Sequence, residues 1–166
     1  MMLTISPITP NTENLGEVKG LYERSFPENE RRPFRGLLTV PKSSAESVAL
    51  YDEDLFCGFA SFLNGKTMSH IIYLVVDENL RNRGYGSMAL QALHAYKSGR
   101  RIMVDIELEK DAAPNNEQRR KRKQFYLRNG YEQTAIRYRW RREDYEILSY
   151  GGDVSEEEYE AFWEEL

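Results

Sequence analysis

"YLVVDENLRNRGYGSMALQALHAY", residues 73–96, carries the reading of this chain. An apolar run ends at Val76, and a charged connector with Arg81 and Arg83 follows. Gly84 and Gly86 then stand at the mouth of a helical pattern that runs from about Gly86 to Lys97. Glycines at a helix mouth let an anion approach the backbone N–H groups, and the helix dipole adds partial positive charge there. Arg101–Leu108, beyond the helix, reads as a strand. Strand, short connector, helix and strand imply a parallel pair joined by a right-handed crossover.

The pattern extends outward from this unit. Residues 2–8 read as a first strand. Thr9-Pro10 reads as a helix start, with proline at the first helical position. Leu15, Val18, Leu21 and Tyr22 then recur at helical spacing up to Phe26-Pro27. "ENERRPFRGLL" (28–38) suggests a second short helix with Pro33 near its start. Ser47–Tyr51, Leu55–Leu63 and Thr67–Val76 read as strands separated by "DED" (52–54) and "NGK" (64–66), and Asn64-Gly65 is a hairpin signal. Downstream, Asn116–Asn129 reads as a helix closed by Gly130 in a left-handed cap. Tyr131–Arg142 and Tyr145–Tyr150 form a hairpin. Ser155 and Glu158 have the spacing of a capping box, and Tyr159, Phe162, Trp163 and Leu166 make one apolar stripe on a last helix. This order predicts an α/β (α+β) fold: a mixed, mostly antiparallel sheet with one parallel βαβ pair and helices on both faces.

Composition narrows the class. With 166 residues, no internal repeat and no Pro/Gly/Ser-rich linker, residues 1–166 are expected to form one domain. Hydrophobic residues are 40% and charged residues 30%, as in a globular protein. No apolar run approaches the ~20 residues of a membrane span. "MMLTISPITP" lacks a basic and apolar secretory leader. The single cysteine, Cys57, permits no internal disulfide, which makes the cytoplasm the expected location. Two histidines and one cysteine cannot make a four-ligand Cys/His zinc site. The net charge of -4 argues against general nucleic-acid binding.

Three phosphate-binding patterns compete. Ala60–Thr67, "ASFLNGKT", fits a relaxed Walker A loop, but that loop needs a following helix and "TMSHIIYLVV" reads as a strand, so Lys66 is better explained at a hairpin tip. Gly84-x-Gly86-x-x-Ala89 with Asp105 and Glu107 about 20 residues on resembles a Rossmann fingerprint, yet Asp77–Arg83 separates strand from glycines and only one βαβ unit is present. The third pattern takes Arg81-Asn82-Arg83-Gly84-Tyr85-Gly86-Ser87 together, between strand and helix. It supplies backbone donors, glycine clearance, helix-end charge and charge-assisted arginine contacts for a diphosphate.

That third pattern resembles the acyl-CoA motif (Arg/Gln)-x-x-Gly-x-(Gly/Ala) of the GNAT-type N-acetyltransferases. "RKRKQFYLRNGYE" (120–132) is similar to the family's later helix, with Gln124-Phe125-Tyr126 before the Gly130-Tyr131 corner. "SFPENERRPF" (25–34) is similar to the acceptor-side helix pair of bacterial members. Arg119 departs from the pattern, standing where the family often has an Asn seven residues before the Tyr. Asn115 and Asn116 lie about one helical turn earlier.

The resemblance implies acetyl-CoA as the acyl donor co-substrate, with no metal, and transfer of the acetyl group to an amine. Backbone groups at Leu74, Val75 and Val76 would hold the pantetheine arm, and a free N–H at that strand end would serve the oxyanion. Arg81, Asn82, Arg83, Gly84, Tyr85, Gly86 and Ser87 would hold the diphosphate, with Asn115 and Tyr126 as further cofactor contacts. Tyr126 matches the acid that protonates the leaving thiolate; a phenol with a reference pKa near 10 carries its proton at neutral pH. Glu107 is the favoured base, on one strand face with Glu109. A structural ion pair with an arginine is the alternative for Glu107, and Glu28, Glu30 or a water chain are the alternatives for the base. Phe26, Glu28, Glu30 and Glu109 would line the acceptor site.

Plainer roles fit the rest. Cys57 reads as a buried small hydrophobe and His70 and His94 as structural. "RRKRK" (119–123) reads as a solvated helix face, and the last helix as docked on the domain or at a dimer contact. The expected protein is an N-acetyltransferase acting on a small-molecule or peptide amine, as monomer or homodimer, with no nucleic acid or membrane partner. The alternatives are a CoA-binding sensor without turnover and a Rossmann-like nucleotide-binding protein.

Overall fold

The structure is a computed structural model and describes residues 2–166. The elements are β1 (Thr4–Pro7), α1 (Leu15–Ser25), β2 (Ala45–Asp52), β3 (Leu55–Asn64), β4 (Met68–Val76), α2 (Tyr85–Tyr96), β5 (Arg101–Glu107), α3 (Asn116–Arg128), β6 (Glu132–Trp140), β7 (Glu143–Tyr150) and α4 (Glu156–Glu164). The strand order is β1-β2-β3-β4-β5-β7-β6, mostly antiparallel with β4–β5 as the parallel pair, which is the expected mixed sheet. The chain groups into two compact units that divide within β4. The first holds the residues up to Asn64 and Ile71–Ser98, the second Gly65–His70 and Gly99–Leu166.

In the first unit, β2 and β3 pair antiparallel with Val48 opposite Ala60. Val18, Leu21 and Tyr22 of α1 are buried in a core with Phe59, Tyr73 and Val75. The Tyr22 ring meets Tyr73 edge-on at 5.1 Å. This helix starts five residues later than Thr9-Pro10 suggested. Thr12 N–H donates to Thr9 O at 3.1 Å, while Thr9 N–H donates to Thr12 Oγ1 at 2.8 Å. The threonines close a turn on themselves, and helical spacing takes over only at Leu15.

The expected second helix is instead two 3₁₀ turns, Glu28–Glu30 and Phe34–Leu37. Pro27, in extended conformation, and Pro33 each precede one turn, and Pro33 has no N–H to carry a helix through. Tertiary bonds hold the segment in place of helical ones. Tyr22 O–H donates to Arg32 O at 2.7 Å, Arg32 N–H donates to Tyr73 Oη at 3.1 Å, and Tyr73 O–H donates to Glu30 O at 2.9 Å.

β3 passes into β4 through a turn in which Gly65 N–H donates to Met68 O at 2.9 Å. Strand follows rather than helix, so the Walker A reading of Ala60–Thr67 does not hold.

In the second unit, β5 and β7 pair antiparallel with Val104 opposite Leu148. β6 and β7 are joined by Arg141-Arg142, both left-handed with φ 48° and 69°, a backbone twist that suits a two-residue hairpin. Gly130, φ 91°, ends α3 as expected. Ser155 and Glu158 form the capping box of α4 in both directions, at 3.1 Å each. α3 and α4 take opposite faces. Lys123 of α3 bonds Glu146, which stands opposite Ile106, while Phe162 and Trp163 of α4 pack on His70, which bonds Asp105. Neighbouring residues on β5 point to opposite faces. Of the expected α4 stripe, Phe162 is buried, whereas Trp163 and Leu166 are exposed.

Candidate functional site

The first unit carries the anion loop. β4 ends at Val76, a 3₁₀ turn spans Glu78–Leu80, and α2 starts at Tyr85. Asp77 caps that turn by accepting from Asn79 N–H at 2.9 Å. Asn82 and Gly84 both sit in left-handed backbone, φ 65° and 81°, and Gly84 is the N-cap residue of α2. A Cβ at Gly84 would meet nothing within 4 Å. Glycine is therefore required there by φ, and the space beside it is open to a ligand. Arg81 and Arg83 are exposed and make no ion pair with any described residue. Tyr85 O–H donates to Asp52 at 2.7 Å, which anchors the first turn of α2. Open glycine backbone, two uncommitted guanidinium groups and the N-terminus of a 12-residue helix fit a CoA diphosphate.

The end of β4 has a feature the sequence reading missed. A Cβ at Gly58 would lie 2.0 Å from the carbonyl oxygen of Val75 and 3.0 Å from the Val76 Cα. Only glycine admits this approach of β3 to the Leu74–Val76 strand end. Asp77 N–H donates to Cys57 O at 2.7 Å just beyond it. Cys57 itself is buried, and burial pushes its thiol up, as for an inert hydrophobe.

The second unit carries Tyr126 and the acidic strand. Tyr126, on α3, is 9% exposed, with its ring 5.1 Å from Tyr131 and 5.2 Å from Phe125. Burial pushes its phenol up to about 12, so the group holds its proton through the neutral range.

Glu107 Oε2 lies 2.8 Å from Nη2 of Arg119, a guanidinium 7% exposed that also meets Glu143 at 3.0 Å and donates to Leu108 O at 2.9 Å. Asn115 accepts from Arg119 Nε at 2.9 Å, and Asn116 from Lys110 N–H at 2.6 Å. Arg119, which seemed part of a solvated basic face, is thus the buried centre of an ionic network. Its bonds, with those of Lys110, hold the Glu143 carboxyl down at about 2. Glu109 lies at the edge of this group, 3.9 Å from Arg120. Glu28 and Glu30 lie in the first unit on the 3₁₀ turn, exposed, and Phe26 packs 4.7 Å from Tyr73.

A second network was also hidden from the sequence. Asp105 accepts from His70 Nε2 at 3.0 Å and from the Tyr138 hydroxyl. Burial alone would raise the Asp105 carboxyl, but these two donors bring it down to about 2. His70 is thus held by a hydrogen bond to Asp105 as well as by its ring contacts with Phe162 and Trp163. Burial likewise pushes His94 down to about 4, which keeps it neutral. Asp105 and Glu107, the acids of the Rossmann reading, are both committed to protein partners, and the sheet has one parallel pair, so that reading falls.

Comparison with known proteins agrees with this geometry. A family model described as Acetyltransferase (GNAT) domain matches residues 43–133. No curated protein matches the chain by sequence. Among solved structures, a GNAT-family protein from Bacteroides thetaiotaomicron is similar over 95% of this chain and 92% of its own, with TM-score 0.79 and 23% identity. A GNAT family acetyltransferase from Elizabethkingia anophelis, solved with acetyl-CoA bound, is similar over 89% and 97% with TM-score 0.59 and 16% identity. The aminoglycoside 6'-N-acetyltransferase from Enterococcus faecium is similar over 89% and 96%, with TM-score 0.64 and 17% identity. These three share the fold. The family model spans more than half of the chain and covers the strand end, the Arg81–Ser87 loop and the Tyr126 helix together: the chain belongs to the GNAT family of acetyltransferases.

Proposed function

We propose that the protein transfers an acetyl group from acetyl-CoA to an amine by direct attack on the thioester. The observation that supports this best is the Arg81–Ser87 loop, with its left-handed Gly84 cap, open Cβ direction and two uncommitted arginines. In this reading the loop and the N-terminus of α2 hold the diphosphate, and the backbone of Leu74–Val76 aligns the pantetheine arm. A strand-end N–H donates to the oxygen that gains charge as the amine attacks. The amine nitrogen forms the new bond to the acetyl carbon while the C–S bond breaks. Glu107 takes the proton lost by the amine, and Tyr126 gives its proton to the departing sulfur. Asn115 contributes through Arg119 and as a further CoA contact.

The acceptor is a small-molecule or peptide amine bound by Phe26, Glu28, Glu30 and Glu109. No helix of the described residues is long and apolar enough to cross a membrane. With its one cysteine buried, the protein fits the cytoplasm, as one domain acting alone or as a homodimer. Release of free CoA thiol with a panel of amines tests the reading. Acetyl-CoA-dependent thermal stabilisation with no amine-dependent thiol release would favour a CoA-binding sensor instead.

A further inference from the structure

Between α1 and the segment 27–38 lies an open groove of about 1250 Å³. Its floor is apolar, made of Leu15, Tyr22, Phe34 and Leu38. Its rim is basic: Lys19, Arg31, Arg32 and Arg35 line it, against Glu23 and Glu28. The chain as a whole has 23 Lys and Arg against 27 Asp and Glu, so the sign of the charge is reversed in this groove. Arg31 meets Glu23 at 3.4 Å, yet its Nε is buried with no hydrogen-bond partner. Lys19, Arg32 and Arg35 are exposed and form no ion pair with any described residue. On a chain with surplus carboxylates, guanidinium groups left unpaired above an apolar floor are free to meet anions from outside.

The rim is also fixed in place. Arg32 is held through its backbone by Tyr22 and Tyr73, whose hydroxyls bond Arg32 O, Arg32 N–H and Glu30 O. Leu15, Lys19, Tyr22 and Glu23 recur at three- and four-residue spacing, so the α1 wall runs roughly 12 Å at 1.5 Å per residue. That length matches about four residues of extended chain at ~3.3 Å each. The volume also exceeds the ~300–1,000 Å³ usual for small-molecule pockets. Alternating side chains of an extended peptide would place apolar groups on the floor and carboxylates on the rim.

We infer that this groove binds an acidic peptide segment, with apolar and acidic residues alternating, and that the segment belongs to the acceptor. The second half rests on the acetyl-transfer reading and on residues 25–34 lying on the acceptor side; the first half does not.

The test uses the full chain and two fluorescein-labelled hexapeptides, Leu-Asp-Leu-Glu-Leu-Asp and Leu-Lys-Leu-Arg-Leu-Lys, each with a free N-terminal amine. Fluorescence anisotropy without acetyl-CoA is expected to show the acidic peptide binding at least ~10-fold more tightly than the basic one, with the difference shrinking in high salt. The double variant Arg32→Glu, Arg35→Glu should reverse the preference, with its melting curve as the fold control. Equal affinity for the two peptides, no binding of either, or an unchanged preference in a folded double variant would overturn the inference. CoA release with the same peptides separates the two halves. Selective binding without thiol release supports the groove and counts against the acceptor assignment, and CoA thiol release with the basic peptide alone overturns the acceptor assignment.

Discussion

Replacing Gly58 by alanine places a methyl group 2.0 Å from the carbonyl oxygen of Val75 and 3.0 Å from two further backbone atoms of β4. Ordinary C···O contacts lie near ~3.3 Å, so the strand end must retreat by roughly 1.3 Å. Both contacting groups are main chain, so no rotamer change can relieve the clash. Such a retreat stretches the Asp77 N–H to Cys57 O bond from 2.7 Å to about 4 Å, beyond hydrogen-bonding range. Overpacking of this kind costs ~1–3 kcal/mol and the lost bond ~1 kcal/mol; the lower chain entropy of unfolded alanine returns ~0.4–1 kcal/mol. The net loss is about 1–3.5 kcal/mol, or a melting temperature lower by roughly 3–10 °C for a chain this size. Because the displaced atoms are those proposed to align the pantetheine arm, acetyl-CoA should also bind more weakly in titration calorimetry. An unchanged melting temperature would refute the packing argument. A lowered melting temperature with full acetyl-CoA affinity would refute the role of Leu74–Val76.

Gly86→Val should place a branched side chain in the diphosphate's path. Acetyl-CoA at ~100-fold over its dissociation constant stabilises the wild type by about 2.7 kcal/mol, and most of that gain should vanish from the variant's melting shift. Tyr126→Phe keeps the ring contacts with Phe125 and Tyr131, so stability should change little. Steady-state turnover should nonetheless fall ~10- to 1,000-fold, less with a more acidic thioester; equal rates would reduce Tyr126 to packing. Glu107→Gln should lower turnover chiefly at low pH, where the amine arrives protonated, and a uniform loss across a pH–rate profile would mean positioning through Arg119 instead. Asp105→Asn should alter acid stability. The native carboxyl sits near 2, below its ordinary value near 4, so its contribution is complete above pH 4 and lost as pH falls toward 2. The wild type should therefore shed about 1–2 kcal/mol between those values that the variant does not, seen as a larger shift of its urea midpoint; equal shifts would remove Asp105 from the acid response.

The loop was legible because its signals are local: Gly84 needs left-handed backbone and sits within four residues of Arg81, Arg83 and the helix start. The hairpins and the α4 capping box were legible for the same reason. Segment 28–38 was misread because its conformation is set from a distance: its apolar spacing suits a helix, but its bonds go to Tyr22 and Tyr73 rather than along itself. The start of α1 was misplaced because Pro10 is as compatible with a turn as with a helix's first residue, and the Thr9–Thr12 bonds decide between them. His70 and Asp105 lie 35 positions apart, and nothing near either one announces the other. Gly58 gave no signal at all, because a lone glycine in an apolar strand looks the same whether or not a backbone presses against it.

Arg119 shows how the two readings of Glu107 fit together. Where the family often has an asparagine, this chain places a guanidinium 7% exposed, and a charge so buried needs anions around it. Glu143 and Glu107 supply them, with Leu108 O and Asn115 taking two further donors. That gives Glu107 a structural task, the ion-pair alternative weighed for it from sequence. A carboxylate has two oxygens and about four acceptor sites, however, and the nearest contact with Arg119 is through Oε2. The side chain is 26% exposed. The ion pair fixes the carboxyl on its strand end while the side chain stays partly exposed. On our reading, one carboxyl serves as both tether and base, and the arginine in the asparagine's place is what orients it.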